Sequence, residues 1–184
     1  DSGRAAAAAG ARVATTRPES GAMGRRAWVG LGGNVGDVAA AFVSALGQLD
    51  ALPGIAVEAC SPRYRTPAWG LEDQPAFLNA VARLRTTLAP VDLLAALQAV
   101  ERAHGRERAR ETRWGPRTLD LDLLAVEDVV LDSPDLVLPH PRLAERAFVL
   151  VPWAALEPDL VLPGLGRVAQ LRDALDCSGI EAIP

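Results

Sequence analysis

Two carboxylates set one residue apart, Asp120 and Asp122, follow a run crowded with guanidinium: Arg106, Arg108, Arg110, Arg113 and Arg117. Read with a period of two, Leu119, Leu121 and Leu123 occupy one face of a β-strand and the two aspartates the other. Like charges held that close repel and raise each other's pKa. A divalent cation, which prefers hard oxygen ligands, relieves the repulsion. A metal beside several arginines is equipment for gripping a polyphosphate. The pattern predicts a magnesium-dependent phosphoryl-type transferase. Asp-x-Asp pairs also occur in aspartate-nucleophile phosphatases and in metal-dependent glycosyltransferases. The phosphatase pattern puts the pair on a loop beyond a buried strand, and the glycosyltransferase pattern needs a considerably longer chain. Acids inside a strand, behind a run of arginines, suit ligands better than a nucleophile.

Composition narrows the chemistry further. The 184 residues are 49% hydrophobic, enough for one domain with a proper core. The net charge of −4 argues against a broadly basic nucleic-acid surface. The chain has no lysine, so all 19 of its Lys+Arg residues are arginine. That excludes a Walker A loop and a pyridoxal Schiff base, both of which need lysine. Cys60 and Cys177 are too few for a disulfide framework and lack metal-ligand spacing, which suits inert thiols in the cytoplasm. No run is long and apolar enough to span a bilayer, so no membrane partner is expected.

The elements that must position the acids follow in order. Residues 1–25, rich in Ala, Gly, Ser and Arg without periodicity, read as a disordered extension, leaving 26–184 as the catalytic domain. Arg26–Leu31 reads as a strand, followed by a turn at Gly32-Gly33-Asn34-Val35-Gly36 and a helix capped by Asp37. The glycines miss the dinucleotide spacing, since Val35 stands where the third is needed; a tight turn is the favoured reading. Ile55–Ser61 reads as a second strand, and Ser61–Pro75 as a long functional loop containing Tyr64 and Trp69. Phe77–Leu84 is a third strand, with Phe77, Asn79 and Val81 on one face. Asn79 is either a satisfied buried amide or a reader of a flat polar ring. A helix from Pro90 to about Ala103 aligns Leu94, Leu97 and Glu101, so Glu101 needs a partner: an arginine, in a plain ion pair or in the phosphate clamp. His104–Thr112 reads as a charged surface loop. Beyond the Asp-x-Asp strand come a short hairpin partner at Val129–Leu131, a helix starting at Pro141, a strand-like Leu160–Leu162 and a helix near Ala169–Leu175. The order β-α-β-β-α-β predicts an α+β ferredoxin-like fold, an antiparallel sheet layered between helices.

With these pieces in order, the chain closely resembles the 6-hydroxymethyl-7,8-dihydropterin pyrophosphokinase family of folate synthesis. The resemblance runs from Trp28 to Leu175. It is carried by Leu31-Gly32-Gly33-Asn34-Val35-Gly36-Asp37, Tyr64-Arg65-Thr66-Pro67, Gln74-Pro75 with Phe77-Leu78-Asn79-Ala80-Val81, Arg113–Asp122, Leu138–Arg142 and Arg146-Ala147-Phe148. It implies transfer of pyrophosphate from ATP to the pterin hydroxymethyl group, with AMP released; a cytoplasmic monomer is the accompanying expectation. It gives Asp120 and Asp122 two Mg2+ ions, and Arg106 and Arg117 the charge developing on the bridging oxygens. It gives Arg108, His140 and Arg146 contacts with ATP, and Glu101 and Trp114 the nucleotide side. The pterin would lie between Phe77 and Phe148, its polar edge read by Asn79 and by the backbone near Thr66, Pro67 and Trp69. No general base stands out. The competing expectation is a ferredoxin-like module that binds nucleotide or pterin without chemistry.

Overall fold

The computed structural model describes residues 24–67, 73–105 and 118–184. Six strands build the central sheet, five in the spatial order β5, β1, β4, β3, β10 and the sixth, β2, also on β4. These are β1 (Arg25–Gly33), β2 (Ile55–Cys60), β3 (Arg63–Thr66), β4 (Phe77–Thr86), β5 (Asp120–Val126) and β10 (Glu181–Ile183). All their pairings are antiparallel. Helices α1 (Val38–Asp50) and α2 (Pro90–Ala103) cross over between strands. With β2 and β3 together taking the place of one strand, the β-α-β-β-α-β unit has its sheet order, and the expected ferredoxin-like α+β fold is the observed one.

Helices cover both faces. On one, Val38, Phe42, Ala45 and Leu49 of α1 and Leu93, Leu97 and Val100 of α2 pack on Val29, Leu31, Ala80, Ala82, Leu84, Leu121 and Leu123. On the other, α3 (Ala147–Leu156) brings Val149, Leu150 and Trp153 onto Trp28, Val81 and Leu124, joined by Val168 of α4 (Val168–Asp173). The rings of Trp28 and Trp153 sit 6.2 Å apart and tilted. The strict alternation of β5 stops where the register against β1 slips between Trp28 and Val29. That bulge turns Leu124 and Ala125, neighbours in sequence, into the same second core. Short hairpins complete the chain: β6 (Leu131–Asp132) with β7 (Val137–Leu138), and β8 (Val161–Leu162) with β9 (Gly166–Arg167).

Several local readings need correction. Glycines 32 and 33 belong to β1, and the positive φ of the following turn falls on Gly36 (+74°). Asp37 caps α1 as expected, its Oδ1 accepting from the amide of Ala40 at 3.0 Å. The stretch Ser61–Pro75 is not all loop, because Arg63–Thr66 pairs with the start of β4. Four residues between Pro62 and Pro67 carry too little periodicity to announce a strand. At the break between β2 and β3, Ser61 replaces the missing ladder bond: its Oγ accepts the amide of Val81 at 3.0 Å. The buried stripe of α2 runs through Leu93, Leu97, Val100 and Glu101, with Leu94 only partly covered. Pro141 starts no α-helix; a 3-10 turn at Leu143–Glu145 precedes α3, which begins at Ala147. Leu131 pairs with Leu138 in a separate hairpin. The extension expected over residues 1–25 lies outside the described residues up to position 23, and Arg25 already begins β1.

Candidate active site

Directly opposed residues of antiparallel strands share a face of the sheet. Asp120 stands opposite Gly32, and Gly32 opposite Asn79, which is opposite Tyr64. The next row is Asp122, Gly30 and Val81. The two acids therefore project from β5 on the face covered by α3, but beyond the apolar contacts of Trp28, Leu124 and Trp153. Both remain partly exposed, while Leu121 and Leu123 between and after them are buried. This is the alternation read from the sequence.

Glycine at position 32 keeps the floor of this face open. A Cβ there would lie 3.1 Å from Asn79 Oδ1 and 3.9 Å from Asp120 Cβ, so any side chain would fill the space separating amide and carboxylate. Asn79 is buried and donates from Nδ2 to Thr66 Oγ1 at 3.0 Å. That bond fixes which way its amide points. Phe77 opens β4 two residues earlier on the same face, opposite Thr66. At the far end of β1, Asn34 donates to Gln74 Oε1 (3.0 Å) and to the Pro75 carbonyl (2.9 Å), tying the chain before Phe77 to the strand end.

A cationic and aromatic wall rises from the other side. Arg146, just before α3, places Nη1 3.6 Å from Asp122 Oδ2, and its guanidinium lies 5.8 Å from the centroid of the Phe148 ring. His140 is anchored by its amide, which donates to the Leu124 carbonyl at 2.8 Å, and its Nδ1 accepts from the amide of Arg142 at 3.2 Å. Burial, helped by the charge of Arg146, pushes the His140 imidazole down to about 4, although the nearby Asp120 opposes it. His140 is thus neutral at physiological pH, a hydrogen-bonding group rather than a further positive charge.

Glu101 sits on the opposite face of β5. It is 2% exposed, and its Oε2 accepts the backbone N–H of Leu121 at 3.0 Å. That amide belongs to the residue between the two acids, so Glu101 steadies the strand that carries them. Sequence reasoning did not foresee this backbone bond, which has no signature in residue spacing. Among the described residues, the fold thus brings together Asp120, Asp122, Asn79, Thr66, His140, Arg146, Phe77 and Phe148 on or beside one face, with Glu101 behind it. Pro67 is exposed next to Thr66. Arg106, Arg108, Trp114, Arg117 and Trp69 lie outside the described residues. Thr118, the first described residue after that arginine run, donates its hydroxyl to the His104 carbonyl at 3.2 Å.

An acid pair beside an arginine and a recess floored by glycine could seat a phosphate chain and a flat heterocycle side by side. Comparison with known proteins points the same way. The family described as 7,8-dihydro-6-hydroxymethylpterin-pyrophosphokinase matches residues 28–158. A 2-amino-4-hydroxy-6-hydroxymethyldihydropteridine pyrophosphokinase of Methylorubrum extorquens is 49% identical over 158 residues, 86% of this chain and 98% of its own. Its counterpart in Pseudomonas aeruginosa is 46% identical over 162 residues, 88% of this chain and 99% of its own. Among solved structures, a Plasmodium falciparum HPPK-DHPS chain matches 86% of this chain with a TM-score of 0.63 at 13% identity. That likeness speaks for the fold alone, and this chain spans about half (47%) of the length of the solved one. The sheet order, the glycine-floored acid pair and these relatives agree that the chain belongs to the 7,8-dihydro-6-hydroxymethylpterin-pyrophosphokinase family.

Proposed function

We infer that the chain transfers the pyrophosphoryl group of ATP intact to the hydroxymethyl oxygen of 6-hydroxymethyl-7,8-dihydropterin, releasing AMP, as a step of folate biosynthesis. The observation that carries this reading is the row Asp120, Gly32 and Asn79, which sets a carboxylate for the phosphate side and an amide for the pterin side across one missing side chain. The donor set fits magnesium: two carboxylates on one strand face, partly exposed, with no third His, Cys, Asp or Glu clustered on them among the described residues. Mg2+ usually takes only one or two protein carboxylates and fills its remaining positions with water and substrate phosphate. Asp120 and Asp122 would hold two such ions, which when bound screen the triphosphate and polarise the phosphorus under attack.

The chain's own residues supply the rest. Arg146, held beside Asp122, offers paired N–H donors to a phosphate oxygen. Neutral His140 adds a hydrogen bond without competing for the metal's charge. Arg106, Arg108 and Arg117 would stabilise charge on the bridging and terminal oxygens, and Trp114 would border the nucleotide, while buried Glu101 would act only through the strand that carries the acids. The pterin ring would stack between Phe77 and Phe148, an offset arrangement of flat rings. Asn79 would read its amide edge, aided by the backbone near Thr66, Pro67 and Trp69. Among the described residues no side chain is placed as an evident general base, so holding the hydroxymethyl oxygen in line with the β-phosphorus carries the chemistry.

A binding module without chemistry would gain nothing from the acid pair, since a neutral pterin needs no Asp120 or Asp122. Among the described residues no helix is long and apolar enough to cross a membrane. We place the enzyme in the cytoplasm, where its free Cys60 and Cys177 stay reduced, and as a monomer, which light scattering checks. The reaction itself is tested by chromatography of the products formed from ATP, Mg2+ and hydroxymethyldihydropterin. AMP in step with pterin diphosphate is the expected outcome; ADP would reject the reading.

A further inference from the structure

The last strand of the chain lies beyond the family match, which ends at residue 158. Strand β3 is only four residues long and pairs with β4 through Tyr64, Arg65 and Thr66. A strand that short, with one edge unpaired, is marginal. Its other edge is closed by β10, where Glu181, Ala182 and Ile183 face Arg65, Tyr64 and Arg63. Arg63 Nη2 also donates to the Pro184 carbonyl at 3.4 Å.

The segment leading into β10 runs close to Pro67. Gly179 has φ +80°, and a Cβ added to it would stand 3.2 Å from Cγ and 3.6 Å from Cδ of Pro67. A hook of six residues thus holds β3 by its backbone and passes Pro67 so closely that a side chain at Gly179 would crowd the ring. Thr66, which lies between Arg65 and Pro67, accepts the hydrogen bond that orients Asn79.

We propose that the C-terminal hook, Gly179 to Pro184, is a positioning device for the pterin side of the site: it holds Thr66 and Pro67 in register so that Asn79 keeps its orientation toward the substrate ring. The idea rests on the pyrophosphokinase reading, because it takes Asn79, Thr66 and Pro67 as the pterin side. Among the described residues, the hook reaches none of those assigned to the phosphates. Its effect therefore falls on one substrate and not on the other.

The test compares the full chain with a version ending at Ser178 and with Gly179→Ala, which strains the backbone and crowds Pro67 while leaving β10 in place. In steady-state assays of AMP release, KM for hydroxymethyldihydropterin is expected to rise about fivefold or more in the truncated chain, with KM for ATP within about twofold. The point variant is expected to show a smaller rise of the same kind. Hydrogen exchange of the peptide covering Arg63–Thr66 is expected to quicken in the truncated chain, with that of Asp120–Val126 unchanged. An unchanged KM for the pterin, an equal rise in both KM values, or unchanged exchange at Arg63–Thr66 overturns the proposal. Failure of the full-length chain to release AMP sinks the reaction itself, whereas AMP release with an unaltered pterin KM after truncation sinks only the hook.

Discussion

The two ends of the α3-covered sheet face spend their charges in opposite ways. At one end Arg26, Arg83 and Arg85 meet Glu58, Glu127 and Glu157 in a closed network. Glu157 Oε1 alone accepts from Trp28 Nε1 (2.9 Å) and Arg83 Nη1 (2.8 Å), and Arg26 Nε lies 2.6 Å from Glu127. The hydrogen bond to Glu127 raises the pKa of Arg26; the carboxyl of Glu127, despite burial that works the other way, is held below its usual value by Arg26. At the other end two acids share one strand face, and the residues across from them are glycines. The first end pairs its charges with its own side chains and serves stability. The second leaves room between its groups, which is what a ligand with several charges requires.

This contrast can be broken at either end. The largest effect is expected from Asp122→Ala. Loss of a metal ligand should lower the turnover number by roughly three orders of magnitude, while circular dichroism and the melting temperature stay close to those of the parent. A rate within tenfold of the parent would strip Asp122 of its role. At the closed end, Glu157→Ala leaves the Trp28 indole N–H and the Arg83 guanidinium without this acceptor. The cost should be about 2 kcal/mol, read as a melting point lower by roughly 4 to 8 °C, with KM for both substrates unaltered. Loss of activity at full stability would erase the distinction between the ends.

Filling the floor sharpens the contrast further. Gly32→Val puts side-chain atoms between Asn79 and Asp120, and kcat/KM should fall roughly tenfold to a hundredfold through misplacement of the two substrates. The smallest effect concerns His140 in the substrate-free chain. Its imidazole takes a proton only near pH 4 when folded, against an ordinary value of 6.5. Unfolding therefore takes up a proton between those values, so the contribution to stability is fully present above pH 6.5 and is lost as pH falls toward 4. Allowing for the part of the ring that meets solvent, urea melts at pH 7 and 4.5 should differ by about 1 to 2 kcal/mol more in the parent than in His140→Gln.

What could be read from the sequence followed from where a single period dominates. The leucine and aspartate alternation of β5 fixed both its faces, and the Pro90 start of α2 fixed a crossover helix, so the ferredoxin-like order was within reach. Elements too short to show a period were not. Four-residue β3 hid between two prolines, and three-residue β10 had no pattern of its own; only the edge of β4, far away in the chain, makes them strands. The shared face of Asp120 and Asp122 was legible from their spacing, whereas Asn79 stayed open between a buried amide and a ring reader, and His140 and Arg146 came only from the family resemblance. The bond from Glu101 to the strand was not legible, because it is made to a backbone amide, and nearly every residue has one. Gly32 was legible as a glycine but misread as a turn, since a side chain missing from a crowded strand face leaves the same mark in sequence as a bend.

The claim that the open end holds the reaction centre is tested most directly by counting metal ions. Water-proton relaxation with Mn2+ and a non-hydrolysable ATP analogue should report two ions bound per chain in the parent. In Asp120→Asn/Asp122→Asn, folded and melting as the parent does, the tight binding should disappear. An unchanged count and affinity in that double variant would contradict the account and move the metal, and the chemistry with it, away from β5.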